Sequence, residues 1–191
     1  MAILILGLVL FLGVHSVRIV ADDWRTATRA RLGAAKWKAG YSLLSLAGFI
    51  VLVWGFGLAR QNPVVLWTPP VAMRHVAGLL TALAFILLTA KDIPHNGIKA
   101  RLHHPMVLGV KVWALAHLLA NGKLHDVVLF GSFLLWAILS FRAARRRDIA
   151  EGTVYPAGTT GATVTTVVAG LAGWAVFAFL LHGWLIGVRP Y

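Results

Sequence analysis

The sequence predicts an all-α fold, a polytopic membrane helix bundle of about six transmembrane helices, and three observations carry that expectation. Of 191 residues, 59% are hydrophobic and only 13% are charged. A soluble domain is usually about half apolar and about a quarter charged, so this chain lacks the polar groups to cover a surface facing water. Its apolar residues fall into six windows close to the roughly 20 residues that cross a bilayer. Its Lys and Arg residues collect in alternate gaps between those windows, as expected where positive segments resist translocation. A single integral membrane domain over residues 1–191 follows.

The first window is Ala2 to Val20. Its start, Ala2 to Val14, is apolar but has neither a basic n-region before it nor a small-residue cleavage motif after it, so a retained helix is expected rather than a signal peptide. Trp24 to Trp37 follows, with Arg25, Arg29, Arg31 and Lys36 between the two tryptophans. That pattern reads either as a short helix in the headgroup layer, where Trp prefers to sit, or as an ordinary basic loop. The second window is Tyr41 to Ala59. The Pro-rich stretch Asn62 to Pro70 reads as extended or turned. The third window, His75 to Ala90, and the fifth, Val127 to Phe141, are short, which local bilayer thinning or snorkelling cations accommodate. Pro105 to Ala120, containing Lys111, is the fourth. Gly152 to Gly161 is small and polar and reads as a flexible connection to the sixth window, Ala162 to Ile186.

The net charge of +12 would point to nucleic acid in a soluble protein. Here topology accounts for it, and no nucleic-acid partner is expected. Thirteen cations lie in the gaps after the first, third and fifth windows, or just inside them, against four (Arg60, Arg74, Lys123, Arg189) on the opposite side. The positive-inside rule then puts the three basic loops in the cytosol and both termini on the outer side. The partner common to all these segments is the lipid bilayer. There is no cysteine, which excludes disulfides, thiolate metal sites and iron–sulfur clusters.

Ionisable groups at membrane depth are costly and usually functional, and histidine is the richest set, with eight copies. His15 lies in the first window, with Phe11 one turn before it; it reads as a cofactor or substrate residue, or as a hydrogen bond to a neighbouring helix. Gly109, Trp113 and His117 recur every four residues and share one face of the fourth helix. A small residue, a flat aromatic and an imidazole on one stripe would line a planar cofactor, or would pack against another helix with Gly at the crossing. His104 lies thirteen positions before His117; at about 1.5 Å rise per residue the two sit near opposite membrane faces and do not share a metal. His103 and His95 read as solvated or headgroup-binding residues of the cytosolic loop. His75, His125 and His182 fall near outer helix ends, and His182 stands out because Trp174 and Ala178 lie on its face. No carboxylate is expected inside the spans, and no HExxH, GxSxG or phosphate loop is present. Imidazole ligation of a flat apolar cofactor is the chemistry left, and haem b fits it.

Three segments carry a resemblance. The start, Leu10-Phe11-Leu12-Gly13-Val14-His15-Ser16-Val17-Arg18, the middle, His104-Pro105-Met106-Val107-Leu108-Gly109 through Trp113 and His117 to Asn121-Gly122 and on to Leu129-Phe130-Gly131-Ser132, and the end, His182 to Pro190, resemble the NnrU family of membrane proteins. The similarity spans nearly the whole chain. His103 departs from it, since such sequences often carry Arg before the His-Pro pair. The resemblance implies a bacterial inner (cytoplasmic) membrane protein connected with denitrification, because the family takes its name from a gene associated with nitrite and nitric-oxide reduction. The family also includes the 15-cis-zeta-carotene isomerase of plants and cyanobacteria, a haem b enzyme. If that chemistry carries over, His15 and His117 are the positions matching its axial ligands, and an apolar polyene or other membrane-soluble molecule is the substrate. On the topology above these two histidines differ in depth by about 10 Å, which helix tilt reduces; a single ligand, or His15 with another partner, is the alternative. Two other functions remain open: a non-catalytic assembly or transport factor for a respiratory enzyme, and a membrane methyltransferase. For the latter, His104-Pro105-x-x-x-Gly109 is similar to the Arg-His-Pro-x-x-x-Gly motif of isoprenylcysteine-type enzymes, which bind S-adenosylmethionine at the cytosolic end.

Overall fold

The computed structural model describes residues 1–190, and their regular structure is helical throughout, with no strand beyond isolated bridges among the described residues. The order is α1 (Ala2–Val20), α2 (Asp22–Leu32), α3 (Ala34–Ala59), α4 (Ala72–Ala90), α5 (Gly97–Leu102), α6 (Pro105–Ala120), α7 (Leu124–Glu151) and α8 (Thr160–Val176). A five-residue π-helical segment, Phe177–Leu181, then leads into α9 (His182–Ile186). Five helical runs are long and apolar enough to cross a membrane: α1, α3, α4, α7 and Thr160–Ile186. The sixth apolar helix, α6, has 16 residues. Large apolar side chains stand outward on these helices, among them Leu43 (69% exposed), Leu79 (76%) and Leu180 (67%). Only lipid makes such a surface favourable, because water charges about 25 cal/mol for each Å² of it.

The residues cluster into two compact units interleaved in sequence, Met1–Trp67 with Gly122–Ala143, and Thr68–Asn121 with Ala144 onward. In the first unit α1 and α3 lie in close contact because glycines remove the side chains between them. A Cβ on Gly48 would come within 2.8 Å of the Phe11 amide nitrogen, and Gly7 and Gly55 face the backbones of Leu52 and Leu4 just as closely. Without water to drive association, such close backbone approach is what holds membrane helices together. The basic segment between α1 and α3 is a helix, α2, with Asp22 and Asp23 in its first turn and Arg29 and Arg31 in its last. Both sets of charges oppose the local end of the helix dipole. Gly33, at φ 83°, turns the chain from α2 into α3, and Trp24 meets Trp37 edge-on at 5.9 Å.

In the second unit α4 carries α6 on one side and α8 on another. Gly109 of α6 lies against Ala84 and Leu88, and Gly170 of α8 lies against Ile86. Gly109 therefore lets α6 approach α4 closely. The link from α4 to α5 is tied by Asn96, which is 1% exposed. Its Oδ1 accepts from the Lys99 amide at 2.7 Å, and its Nδ2 donates to the carbonyls of Ala90 (2.9 Å) and Ile93 (2.5 Å).

Three expectations need correction. α7 does not stop near Phe141 but continues through Arg142–Arg147 to Glu151, 28 residues in all, because Ala and Arg are good helix formers and hydropathy reports solvent rather than backbone. α3 likewise starts at Ala34, not Tyr41. Of the connection Gly152–Gly161, only residues 152–159 are irregular, since α8 starts at Thr160, and its end is pinned: the Thr159 amide donates to the His95 carbonyl at 2.8 Å, the Gly97 amide donates to Thr163 Oγ1 at 2.8 Å, and Gly158 packs on the Gly97 backbone.

Candidate functional site

Three histidines on apolar helices share one local arrangement. Nδ1 of His15 lies 2.7 Å from the Phe11 carbonyl, and Nδ1 of His117 lies 2.8 Å from that of Trp113, each one turn back along its own helix. At the end of the last span, Nδ1 of His182 lies 2.6 Å from the Val188 carbonyl, where Gly187 at φ 74° folds the chain back. A carbonyl only accepts, so in each ring Nδ1 carries a proton, and in the neutral ring Nε2 is then the nitrogen with the lone pair. That is the form of imidazole that ligates a metal, with its ring held by a backbone hydrogen bond.

The rings around each histidine differ. His15, in the first unit, has Phe11 at 4.3 Å, Tyr41 edge-on at 5.5 Å and Trp136 of α7 edge-on at 6.2 Å. The Trp136 indole N–H is buried with no hydrogen-bond partner among the described residues. A buried donor beside a ligand-ready imidazole fits a site built for a flat, partly polar group rather than a sealed apolar core. His117 and His182 belong to the second unit. His117 lies 5.0 Å from the Trp113 ring and within electrostatic reach of His182. His182 meets Phe177 edge-on at 5.8 Å. The π segment, whose hydrogen bonds reach one residue further than those of an α-helix, leads directly into it, and such segments gather at functional positions. Trp174, expected on the face of His182, instead donates its N–H to Thr81 Oγ1 at 3.1 Å and pairs with Phe179.

His104 lies elsewhere in the second unit, in a polar cluster. Its Nε2 donates to Asp148 Oδ2 at 2.8 Å, and the Tyr155 hydroxyl donates to the same carboxylate at 3.2 Å. Arg145 lies 3.3 Å from it. The expectation of a solvated His103 is corrected here: its ring stacks on Tyr155 at 4.2 Å and its Nδ1 accepts from Arg145. Because that nitrogen accepts, its 3.6 Å approach to Asp148 is not a charge pair. His103 adopts φ 68°, ψ −55°, and the His104 amide reaches back to the Leu102 carbonyl at 2.8 Å. This is a γ-turn with positive φ, a strained form that costs about 1–3 kcal/mol and gathers at functional positions. Pro105 starts α6 at N1 and keeps His104 non-helical. Burial, and then the Asp148 carboxylate, push the Tyr155 hydroxyl above its usual range.

A further polar pair lies at the opposite end of α7. His125 and Asp126 are buried in its first turn, 3% and 7% exposed, with Phe56 edge-on to the imidazole at 5.4 Å. Asp126 stands one residue before the fifth apolar window. Spacing could not have revealed Asp148, Tyr155 or Trp136 as partners of His104 or His15, since their partners lie on other elements. Asp148 did carry a signal, as a lone acid closing a run of arginines.

No curated protein and no solved structure matches the chain. A family model described as NnrU protein matches residues 3–190. With that match covering nearly every residue, including all three anchored histidines and the His104–Asp148 cluster, the chain belongs to the NnrU family.

Proposed function

We propose that this protein binds haem b in the bacterial cytoplasmic membrane through histidine, in a redox or double-bond isomerase-type role toward a membrane-soluble substrate such as an apolar polyene. The observation that carries the reading is the shared posture of His15, His117 and His182, each with Nδ1 fastened to a carbonyl, so that Nε2 is the nitrogen through which a neutral ring would ligate. Among the described residues no three His, Asp or Glu side chains gather as ligands for a bare metal ion. An iron that brings four porphyrin nitrogens needs only one or two imidazoles. When bound, haem b would supply an iron centre whose ligation responds to its oxidation state. The chain's own contribution is to hold the imidazole planes by backbone hydrogen bonds and to line them with Phe11, Tyr41, Trp136 and Trp113.

The test is an optical spectrum, oxidised and dithionite-reduced, of purified wild type beside His15→Ala, His117→Ala and His182→Ala. A b-type spectrum that collapses in two of the three variants identifies the ligand pair. Protein purified after haem-supplemented expression with no Soret band would overturn the reading. A methyltransferase reading draws on the strained His103–His104 elbow and its Asp148–Tyr155 support. Calorimetry with S-adenosylmethionine decides it, and absence of binding removes it.

A further inference from the structure

Helices α1, α2 and α3 enclose a cleft of about 370 Å³, within the size range of small-ligand sites. Each helix turns one stripe toward it: His15 and Arg18 from α1, Arg25 and Arg29 from α2, and Trp37, Lys38 and Tyr41 from α3. Four cations therefore meet in one concavity that no acidic side chain lines. Arg18 has a counter-charge in Asp22 at 3.4 Å, and the remaining three concentrate positive potential at the cleft. Retention of positive charge in cytosolic loops explains why these residues are basic, but not why they converge. Arg31 and Lys36, equally basic, stand outside the lining. Each is two residues from a lining cation, about 200° around its helix.

We propose that this cleft binds the phosphate headgroup of an anionic membrane phospholipid. Arginine forks match phosphate oxygens in a bidentate way, and Trp37 and Tyr41 have the amphipathic rings that settle at headgroup level. What makes the ligand a lipid rather than a free phosphate is the surrounding surface. On the same three helices, Val20 (80% exposed), Trp24 (57%), whose ring meets that of Trp37, and Leu44 (59%) present apolar side chains outward, where acyl chains would lie. The cleft shares His15 and Tyr41 with the proposed haem site, but it is followed by bound lipid and not by absorbance, and its test replaces neither residue, so either reading can fail alone.

The full-length protein is reconstituted in nanodiscs of phosphatidylcholine and phosphatidylglycerol in equal parts, extracted gently, and its retained lipid counted by native mass spectrometry. Wild type is expected to retain phosphatidylglycerol in preference. Arg25→Ala with Arg29→Ala should weaken that retention by about tenfold or more, since each headgroup-facing cation contributes about a factor of five. Arg31→Ala with Lys36→Ala removes the same charge outside the cleft and should change it less than about twofold. Because α2 buries no residue, the cleft variants should fold; Lys38→Gln, on a different helix, provides a second reading. Equal losses in the two double variants would overturn the proposal in favour of diffuse surface attraction. Displacement of the lipid by millimolar inorganic phosphate would show a soluble anion site and overturn it too.

Discussion

Asn96 has its side chain committed on both sides, and that makes its replacement informative. Removing it takes the Asn96 side chain from the Ala90 and Ile93 carbonyls and the Lys99 amide, the first buried and the others part-buried, and a buried group left unsatisfied costs about 1–3 kcal/mol. Asn96→Ala should therefore lower thermal stability in detergent by roughly 2 kcal/mol or more. Asn96→Asp keeps the acceptor for Lys99 but sets a buried carboxylate oxygen against the two carbonyls, so it should lose at least as much. Tyr155 gives a pH test. Its folded pKa is raised by burial and by Asp148, so its hydrogen bond contributes stability that is present below the usual tyrosine pKa of about 10. That contribution is lost as pH rises through the higher folded value. Wild type should lose stability above about pH 10 more steeply than Tyr155→Phe, and parallel curves would count against a hydroxyl that donates to Asp148.

The helix crossings set the tolerance of whole elements. On α3, Gly55 faces the Leu4 backbone, whereas Gly57, two residues on, has nothing near its missing Cβ. Gly55→Val should separate α1 from α3 and cost about 2 kcal/mol or more through overpacking. Gly57→Val should stay within about 0.5 kcal/mol, as a lipid-facing substitution does. Equal melting temperatures in detergent for the two variants would remove the argument. This contrast also marks what could be read in advance. The spans could, because a run of apolar residues directly reports the solvent it needs. The continuation of α7 through Arg142–Arg147 could not, because those residues choose water without leaving the helix. The γ-turn at His103 was hidden as well, since nothing in a His-His-Pro string calls for positive φ. His104 was legible as a chemical residue; its partners Asp148 and Tyr155, 44 and 51 positions away, were not, because spacing encodes only neighbours on the same element.

For the whole molecule, charge asymmetry makes the orientation testable without first removing native thiols, since the chain has no cysteine. Gln61→Cys, in the loop after α3, should react with a membrane-impermeant maleimide on intact cells. Thr153→Cys, between α7 and α8, should react only after the membrane is opened. The reverse pattern would invert the topology and place the phosphate cleft on the wrong leaflet for the cations that line it. The clasp between Gly97 and Thr163 carries a different consequence, one of biosynthesis. Its two halves are 66 residues apart in the chain. At about 5–20 residues per second, the turn after α4 waits roughly 3–13 s for its partner to be translated. During that interval water, or the lipid headgroups, must satisfy the Gly97 amide that Thr163 later takes over.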